Sequence, residues 1–196
     1  MTNNNGRILP SYSSASIALH WLIAALILTN VALALLWDPL MNSSDPAQKA
    51  RAATMINFHM SFGLTVLVLS LVRLGNRLMQ GFPALPDDMK PWERVLARAT
   101  HYAFYVLMIG IPLAGYVMAS ASEFQKPISY FGLFGWPLLP IGFNKALDDR
   151  MGDIHALLAW STMALLALHI AGALKHQLIH RDGVLARMLP RVLASR

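Results

Sequence analysis

The sequence contains no cysteine, and only 13% of its 196 residues carry a formal charge. The absence of cysteine excludes disulfides, iron–sulfur clusters, thiolate haem ligands and thiol catalysis. Soluble domains have about 25% charged residues, so the low charge and the 56% share of hydrophobic residues together indicate a membrane protein. Histidine, which occurs seven times, is the main metal ligand that remains.

Four segments lack Asp, Glu, Lys and Arg and are long enough to cross a bilayer as helices, at about residues 16–37, 55–72, 99–119 and 154–174. The first is too long for the apolar part of a signal peptide. We expect Pro112 to kink the third segment rather than end it, because neighbouring helices can satisfy the freed carbonyl. The chain is therefore predicted to be an all-α membrane protein, with four transmembrane helices in an up-and-down bundle and a single domain over residues 1–196.

Lysine and arginine are divided unevenly between the two ends of this bundle. The N-terminus, the 73–98 connection and the tail from Lys175 hold 11 of them, whereas segments 38–54 and 120–153 hold 5. By the positive-inside rule, both termini are predicted to be cytoplasmic. The formal net charge of +6 follows from this topology, so we expect membrane lipid and no nucleic acid as a partner.

The connections carry two further signals. Segment 120–153 is partly apolar and contains several Gly and Pro residues. It is therefore predicted to lie as a flap on the outer mouth of the bundle, with Trp136 at the interface, rather than to form a fifth helix. In the 73–98 connection, Pro91 is predicted to open a short interfacial helix that Trp92 anchors.

The fourth segment carries two histidines on one face. His155 and His169 are fourteen residues apart, which is roughly 21 Å along a helix axis and within about 40° of the same direction. Ionisable residues within an apolar span are expensive in lipid and mark cofactors or ion pathways.

The predicted orientation of the helices gives each histidine a depth in the membrane. Only His59 and His155 lie near the outer side, whereas His20, His101 and His169 lie near the inner side. The shared face of the fourth helix selects His169 for an inner site, and spacing does not choose between His20 and His101 as its partner. Pairs at two depths favour two six-coordinate haems over one zinc site of three or four ligands.

The sequence around these histidines resembles the bacterial cytochrome b561 family, over nearly its whole length. The matching motifs are IALHWLIA, INFHMSFGLTVLVLSLVRLGNRL, THYAFYVLMIGIPLAGYVM and IHALLAW, followed by ALHIAGALKHQLIHRDGVLARMLP. The resemblance implies two haem b groups and ubiquinone as a substrate or bound acceptor. It assigns His20 and His169 to the inner haem, and His59 and His155 to the outer haem.

Other positions receive roles from the same resemblance. His101 is expected to contact a haem propionate or the quinone. Arg73 and Arg77 are expected either to contact propionates or simply to stop the second helix. A quinone site is expected near the cytoplasmic side, formed by Lys175, His176 and His180. The alternative for Lys175 is an ordinary positive-inside anchor.

The function implied by the resemblance is oxidation of superoxide at the periplasmic face of the bacterial inner membrane and reduction of ubiquinone near the cytoplasmic face. Both axial positions of each haem are filled, which favours electron transfer over oxygenation. Superoxide is an anion, and we expect the positive charges of Lys126, Lys145 and Arg150 to attract it. The two outer segments together hold 5 basic and 6 acidic residues, so this attraction must be local.

Two alternatives remain open at this point. In the first, the chain is a relay subunit that links the quinone pool to a separate periplasmic redox protein or dehydrogenase. In the second, it is a haem-free transporter that uses its histidines for protons or zinc.

Overall fold

The computed structural model describes residues 12–81, 90–180 and 185–188. It contains four long helices: α1 (Ser14–Met41), α2 (Pro46–Gln80), α3 (Pro91–Ala121) and α4 (Lys145–Lys175). Each is long and apolar enough to cross a membrane. Each also contains one of the four predicted segments, so the predicted transmembrane helices are confirmed.

The helices begin where the local sequence supplies side chains for their free N–H groups. Ser13 accepts from Ser16 N at 3.3 Å, and Asp45 accepts from Ala47 N at 2.9 Å. Asn144 opens α4 by accepting from Leu147 N at 3.1 Å.

Pro91 occupies the first turn of α3, and this helix runs on through Pro112 to Ala121. Pro112 therefore does not end the helix, as predicted. The short interfacial helix expected at Pro91 is instead the beginning of α3, because proline fits the first turn of any helix and nothing interrupts the helix after it.

The four helices pack as two antiparallel pairs. α1 packs along α2, α3 packs along α4, and contact between α2 and α3 joins the two pairs, whereas α1 and α4 hardly touch among the described residues. Small polar residues at Ser61, Ser70 and Ser120 are completely buried. Small side chains of this kind let helices in a membrane approach closely. Large apolar side chains are exposed around the outside of the bundle, as lipid contact requires.

The bundle has two ends. The loop end holds the α1–α2 and α3–α4 connections, and the terminus end holds the beginning of α1 and the end of α4. At the terminus end, α4 continues into a five-residue π-helix (His176–His180), and a 3-10 turn (Ala186–Met188) follows. Trp21 Nε1 of α1 donates to Met188 O at 2.7 Å, so this turn lies against α1.

The α3–α4 connection contains a small β-hairpin of β1 (Ile128–Tyr130) and β2 (Phe134–Trp136). Leu133 N donates to Tyr130 O at 2.9 Å, closing a turn in which Phe131 and Gly132 have φ of 50° and 75°. Two central residues with positive φ give the turn a twist that suits an antiparallel hairpin.

This hairpin reaches further along the bundle than a flap on its mouth would. Ser61 Oγ on α2 accepts from Phe131 N at 3.0 Å, and Tyr130 Oη lies 2.9 Å from Thr65 Oγ1. Thr65 is six residues past His59, which is about 9 Å further along the helix from the loop end. The predicted absence of a fifth helix is therefore confirmed for the described residues, but the predicted position on the mouth is wrong. Ser61 and Thr65 supply the polar partners that a non-helical segment needs at this depth.

Candidate functional site

At the loop end, His59 of α2 and His155 of α4 face each other. Their ring centres are 6.0 Å apart, and their planes are inclined by 64°. An iron bound by two imidazole nitrogens at roughly 2 Å, one on each side, separates the ring centres by about 6 Å. This pair therefore fits the axial ligation of one haem.

Each ring of this pair is held by the backbone of a neighbouring helix. His59 Nδ1 donates to Asn30 O of α1 at 3.2 Å, and His155 Nδ1 donates to Ile111 O of α3 at 2.9 Å. A carbonyl only accepts, so Nδ1 carries the proton in both neutral rings and Nε2 keeps the lone pair that binds a metal. Such outer hydrogen bonds fix the orientation of a ligating histidine.

Trp37 lies beside this pair, with its ring 4.7 Å from that of His59 and nearly perpendicular to it. It comes from the last turns of α1 and restricts the movement of the His59 ring. Sequence reasoning did not single out Trp37, because an aromatic residue at the end of a span is ordinary in a membrane helix.

At the terminus end, His169 has two histidine neighbours. Its ring centre is 6.4 Å from that of His20 on α1 and 6.0 Å from that of His101 on α3. Both separations fit bis-imidazole ligation. His101 Nδ1 donates to Ala97 O in its own helix at 2.6 Å. The structure thus brings all three predicted inner histidines together, but the ring separations alone do not decide whether His20 or His101 pairs with His169.

Arginines surround the same end. Arg73 Nη1 donates to Ser16 O at 2.8 Å. The guanidinium carbons of Arg77 and Arg187 lie 5.4 Å and 5.9 Å from the ring centre of Tyr12. Arg187 is only 5% exposed. Arg73 and Arg77 lie near the inner histidines, and their contact with haem propionates stays a prediction. Arg187 is a third cation at this end that sequence reasoning missed.

The predicted quinone residues are placed only in part. Lys175 Nζ forms an ion pair with Glu93 Oε1 at 3.0 Å and lies 5.3 Å from the ring centre of Trp92. His176 opens the π-helix directly after α4, a distortion that is frequent at functional sites. The side chain of His180 lies outside the described part of the chain. Sequence reasoning missed Glu93, although its position three residues after Lys90 is typical of a helix start.

The three cations predicted to steer superoxide do not behave alike. Lys145 Nζ contacts both carboxylate oxygens of Asp149, at 2.8 Å and 3.0 Å. The hydrogen bond to Asp149 raises the pKa of Lys145, and the carboxylate of Asp149 compensates the positive charge of Lys145. Lys126 and Arg150 are exposed, one before the β-hairpin and the other in the second turn of α4.

The comparison with known families settles the class of protein. The sequence model of the prokaryotic cytochrome b561 family matches residues 11–191. The chain belongs to the prokaryotic cytochrome b561 family. It is accordingly a multi-pass protein of the inner membrane that serves electron transfer, and membership of this family implies haem b.

Individual relatives of this cytochrome b561 cover almost the same length. Cytochrome b561 homolog 2 of Escherichia coli is 34% identical over 178 residues, which is 91% of this chain and 90% of that protein. The probable superoxide oxidase CybB of Yersinia pestis is 27% identical over 184 residues, 92% of this chain and 96% of its own. Cytochrome b562 of Cereibacter sphaeroides is 28% identical over 184 residues, with 92% and 96% covered.

Proposed function

We propose that this cytochrome b561 binds two haem b groups, oxidises superoxide at the loop end and reduces ubiquinone at the terminus end. The observation that carries the proposal is the presence of two histidine sites at opposite ends of α4, each with ring centres spaced for two imidazoles on one iron. The proposed orientation places the loop end in the periplasm, as the distribution of Lys and Arg predicts.

The ligands proposed for the haem at the loop end are His59 and His155, and those at the terminus end are His20 and His169. Helix packing supports His20 over His101. His59 and His155 connect one helix pair to the other, and so do His20 and His169. His101 and His169 lie on α3 and α4, which pack directly against each other and leave little room for a macrocycle between them. We assign His101 to a propionate or quinone contact.

When bound, haem b would supply one-electron chemistry, held by His59 and His155 at the loop end and by His20 and His169 at the terminus end. His59 and His155 are oriented for this by carbonyls of α1 and α3. The proposed reaction converts two superoxide anions to two molecules of dioxygen, and one ubiquinone with two protons to ubiquinol. Electrons and charge balance in this scheme.

The two sides of the reaction need different side chains. Superoxide is an anion, and the exposed charges of Lys126 and Arg150 raise its local concentration near the loop end. Reduction of ubiquinone consumes protons, and the imidazole of His176 is a group that can donate and accept them. Lys175, held by Glu93, keeps a cation beside this position. A relative named as a probable superoxide oxidase supports the choice of donor.

One observation favours a second candidate. Lys145 is paired with Asp149, and the two segments at the loop end hold more acidic than basic residues. A weak positive field suits an anionic donor poorly. In the second candidate the chain relays electrons between the quinone pool and a separate periplasmic protein or dehydrogenase, with the same haem ligands.

Haem extraction and rapid mixing test the proposal together. Iron and haem analysis of the purified protein is expected to give two haem b groups per chain, and stopped-flow mixing with superoxide is expected to reduce them. A ratio of one haem per chain contradicts the ligand scheme. Two haems that superoxide fails to reduce, while a periplasmic redox protein reduces them, establish the relay function instead.

A further inference from the structure

Gly115 of α3 lies directly against the ring of His155. A Cβ atom added at this glycine would lie 3.0 Å from Nδ1 and 3.1 Å from Cε1 of that ring. Both distances are well inside the separation of about 3.5–4.0 Å at which such atoms attract each other. Any side chain at position 115 would therefore push the imidazole away from α3. Gly115 is not among the glycines with positive φ, so closeness rather than backbone conformation requires glycine here.

The same glycine opens access to the carbonyl that holds His155. Ile111 lies one turn before Gly115, and its O accepts from His155 Nδ1 at 2.9 Å. In a helix each Cβ leans towards the N-terminus, so a side chain covers the turn that precedes it. A side chain at position 115 would thus lie over the carbonyl of Ile111. With glycine there, this oxygen can accept a second hydrogen bond from outside its helix.

The other ring of the loop-end pair provides a comparison. His59 Nδ1 donates to Asn30 O at 3.2 Å. The residue four positions after Asn30 is Ala34, which has a Cβ atom. The longer of the two bonds is therefore the one over which a side chain leans, and the shorter is the one that glycine leaves open.

We infer that Gly115 is a positioning residue for His155. It allows the imidazole to reach the carbonyl of Ile111, which fixes the proton on Nδ1 and the direction of the ring. A strong hydrogen bond at Nδ1 makes the imidazole a better electron donor through Nε2. Gly115 thereby lowers the reduction potential of the haem at the loop end. This inference rests on the proposed function in one respect, the ligation of that haem by His155.

The test compares Gly115→Ala with Gly110→Ala in the full-length protein. Gly110 lies in the same α3–α4 interface, and a Cβ there would meet Leu158 Cδ1 at 3.5 Å, an ordinary contact. Redox titration of the haem absorption bands is the measurement. We expect Gly115→Ala to shift one of two midpoint potentials to a more positive value, because a weaker Nδ1 hydrogen bond stabilises oxidised iron less. Gly110→Ala is expected to leave both potentials at their wild-type values.

The outcomes separate this inference from the ligand scheme. Equal potentials in Gly115→Ala, Gly110→Ala and the wild type overturn the inference while leaving the ligands intact. If His155→Ala keeps both haems, the ligand assignment fails, and this inference fails with it. If His155→Ala loses one haem and Gly115→Ala shifts the potential of that same haem, the inference holds.

A second measurement uses the wild-type protein, in case Gly115→Ala does not assemble. Nuclear magnetic resonance of protein labelled with ¹⁵N-histidine follows exchange of the His155 Nδ1 proton in D₂O. A proton bound to a helix carbonyl inside the membrane is expected to exchange far more slowly than the ring protons of His176. Exchange of the two at the same rate overturns the inference.

Discussion

The two ends of α4 place histidines in different ways. At the loop end, one pair of rings is 6.0 Å apart, and each ring is held by a carbonyl of a neighbouring helix. At the terminus end, His169 lies 6.4 Å from one histidine and 6.0 Å from another, and arginines and an ion pair surround the group. A site that takes up single electrons needs only a fixed pair of ligands, whereas a site that must also supply protons to a quinone needs additional ionisable residues. The proposed donor and acceptor sites differ in this way.

The largest expected effect is the loss of one haem at the loop end. His155→Ala, or His59→Ala, removes a proposed ligand, and no third histidine lies at the loop end in the described part of the chain, so haem content is expected to fall from two to one per chain. Pyridine haemochrome analysis of the purified variants measures this. Ser161→Ala is the matched control on α4, because among the described residues Ser161 Oγ donates only to Leu157 O of its own helix. Loss of both haems in His155→Ala would show that the two sites are not independent.

The next effect separates the two neighbours of His169. His20→Ala is expected to lose the haem at the terminus end, whereas His101→Ala is expected to keep both haems with a changed potential or a slower quinone reaction. The reason is that His20 connects the two helix pairs and His101 does not. Absorption spectra and redox titration of the two variants measure the difference. Exchanged phenotypes would make His101 the ligand and would contradict the pairing taken from the family resemblance.

A smaller effect is expected on proton transfer at the terminus end alone. His176→Ala is expected to slow haem reoxidation by a ubiquinone analogue by roughly 10²-fold, the lower range for loss of a general acid. Haem reduction by superoxide at the other end should stay unchanged. Stopped-flow reoxidation and reduction measure the two steps separately, with Leu178→Ala on the same π-helix as the control. An equal slowing in both variants would point to disruption of the helix instead of proton transfer.

The smallest effects are expected among the basic residues at the loop end. Lys126→Gln and Arg150→Gln should lower the rate of reduction by superoxide at low salt, by up to about tenfold, because local positive charge steers an anion. Lys145→Gln should change it least, since Asp149 already compensates that charge. The differences should vanish as salt shortens the screening length to about 8 Å at 0.15 M. A rate that does not depend on salt in any variant would remove electrostatic steering from the scheme.

Much of the fold follows from local sequence signals. Uncharged runs long enough to cross a bilayer predict all four spans, and the depth of each histidine within its run predicts which rings can meet. These features depend on residues that are close together in the sequence. The choice between His20 and His101 is different, because it depends on which helices pack directly, and that depends on side chains along whole helix faces.

Contacts between distant segments account for what sequence reasoning missed. Glu93 and Lys175 are 82 positions apart, and Trp21 and Met188 are 167 positions apart. The depth of the β-hairpin depends on two hydroxyl groups of α2, Ser61 and Thr65, which look like ordinary small residues of a span. No local pattern distinguishes a serine that bonds to its own helix from one that also binds another segment.

The division of the bundle into two helix pairs bears on its biogenesis. Each antiparallel pair can insert and form within the membrane without the other, as helices generally do before they associate. Direct contact between the two helix pairs is sparse, because α1 and α4 hardly touch. The proposed haem ligands lie across this interface, His20 and His169 at one end and His59 and His155 at the other. Haem insertion would then be the step that joins the two helix pairs into one bundle. Cells starved of haem should accumulate a loosely joined, protease-sensitive form of the chain.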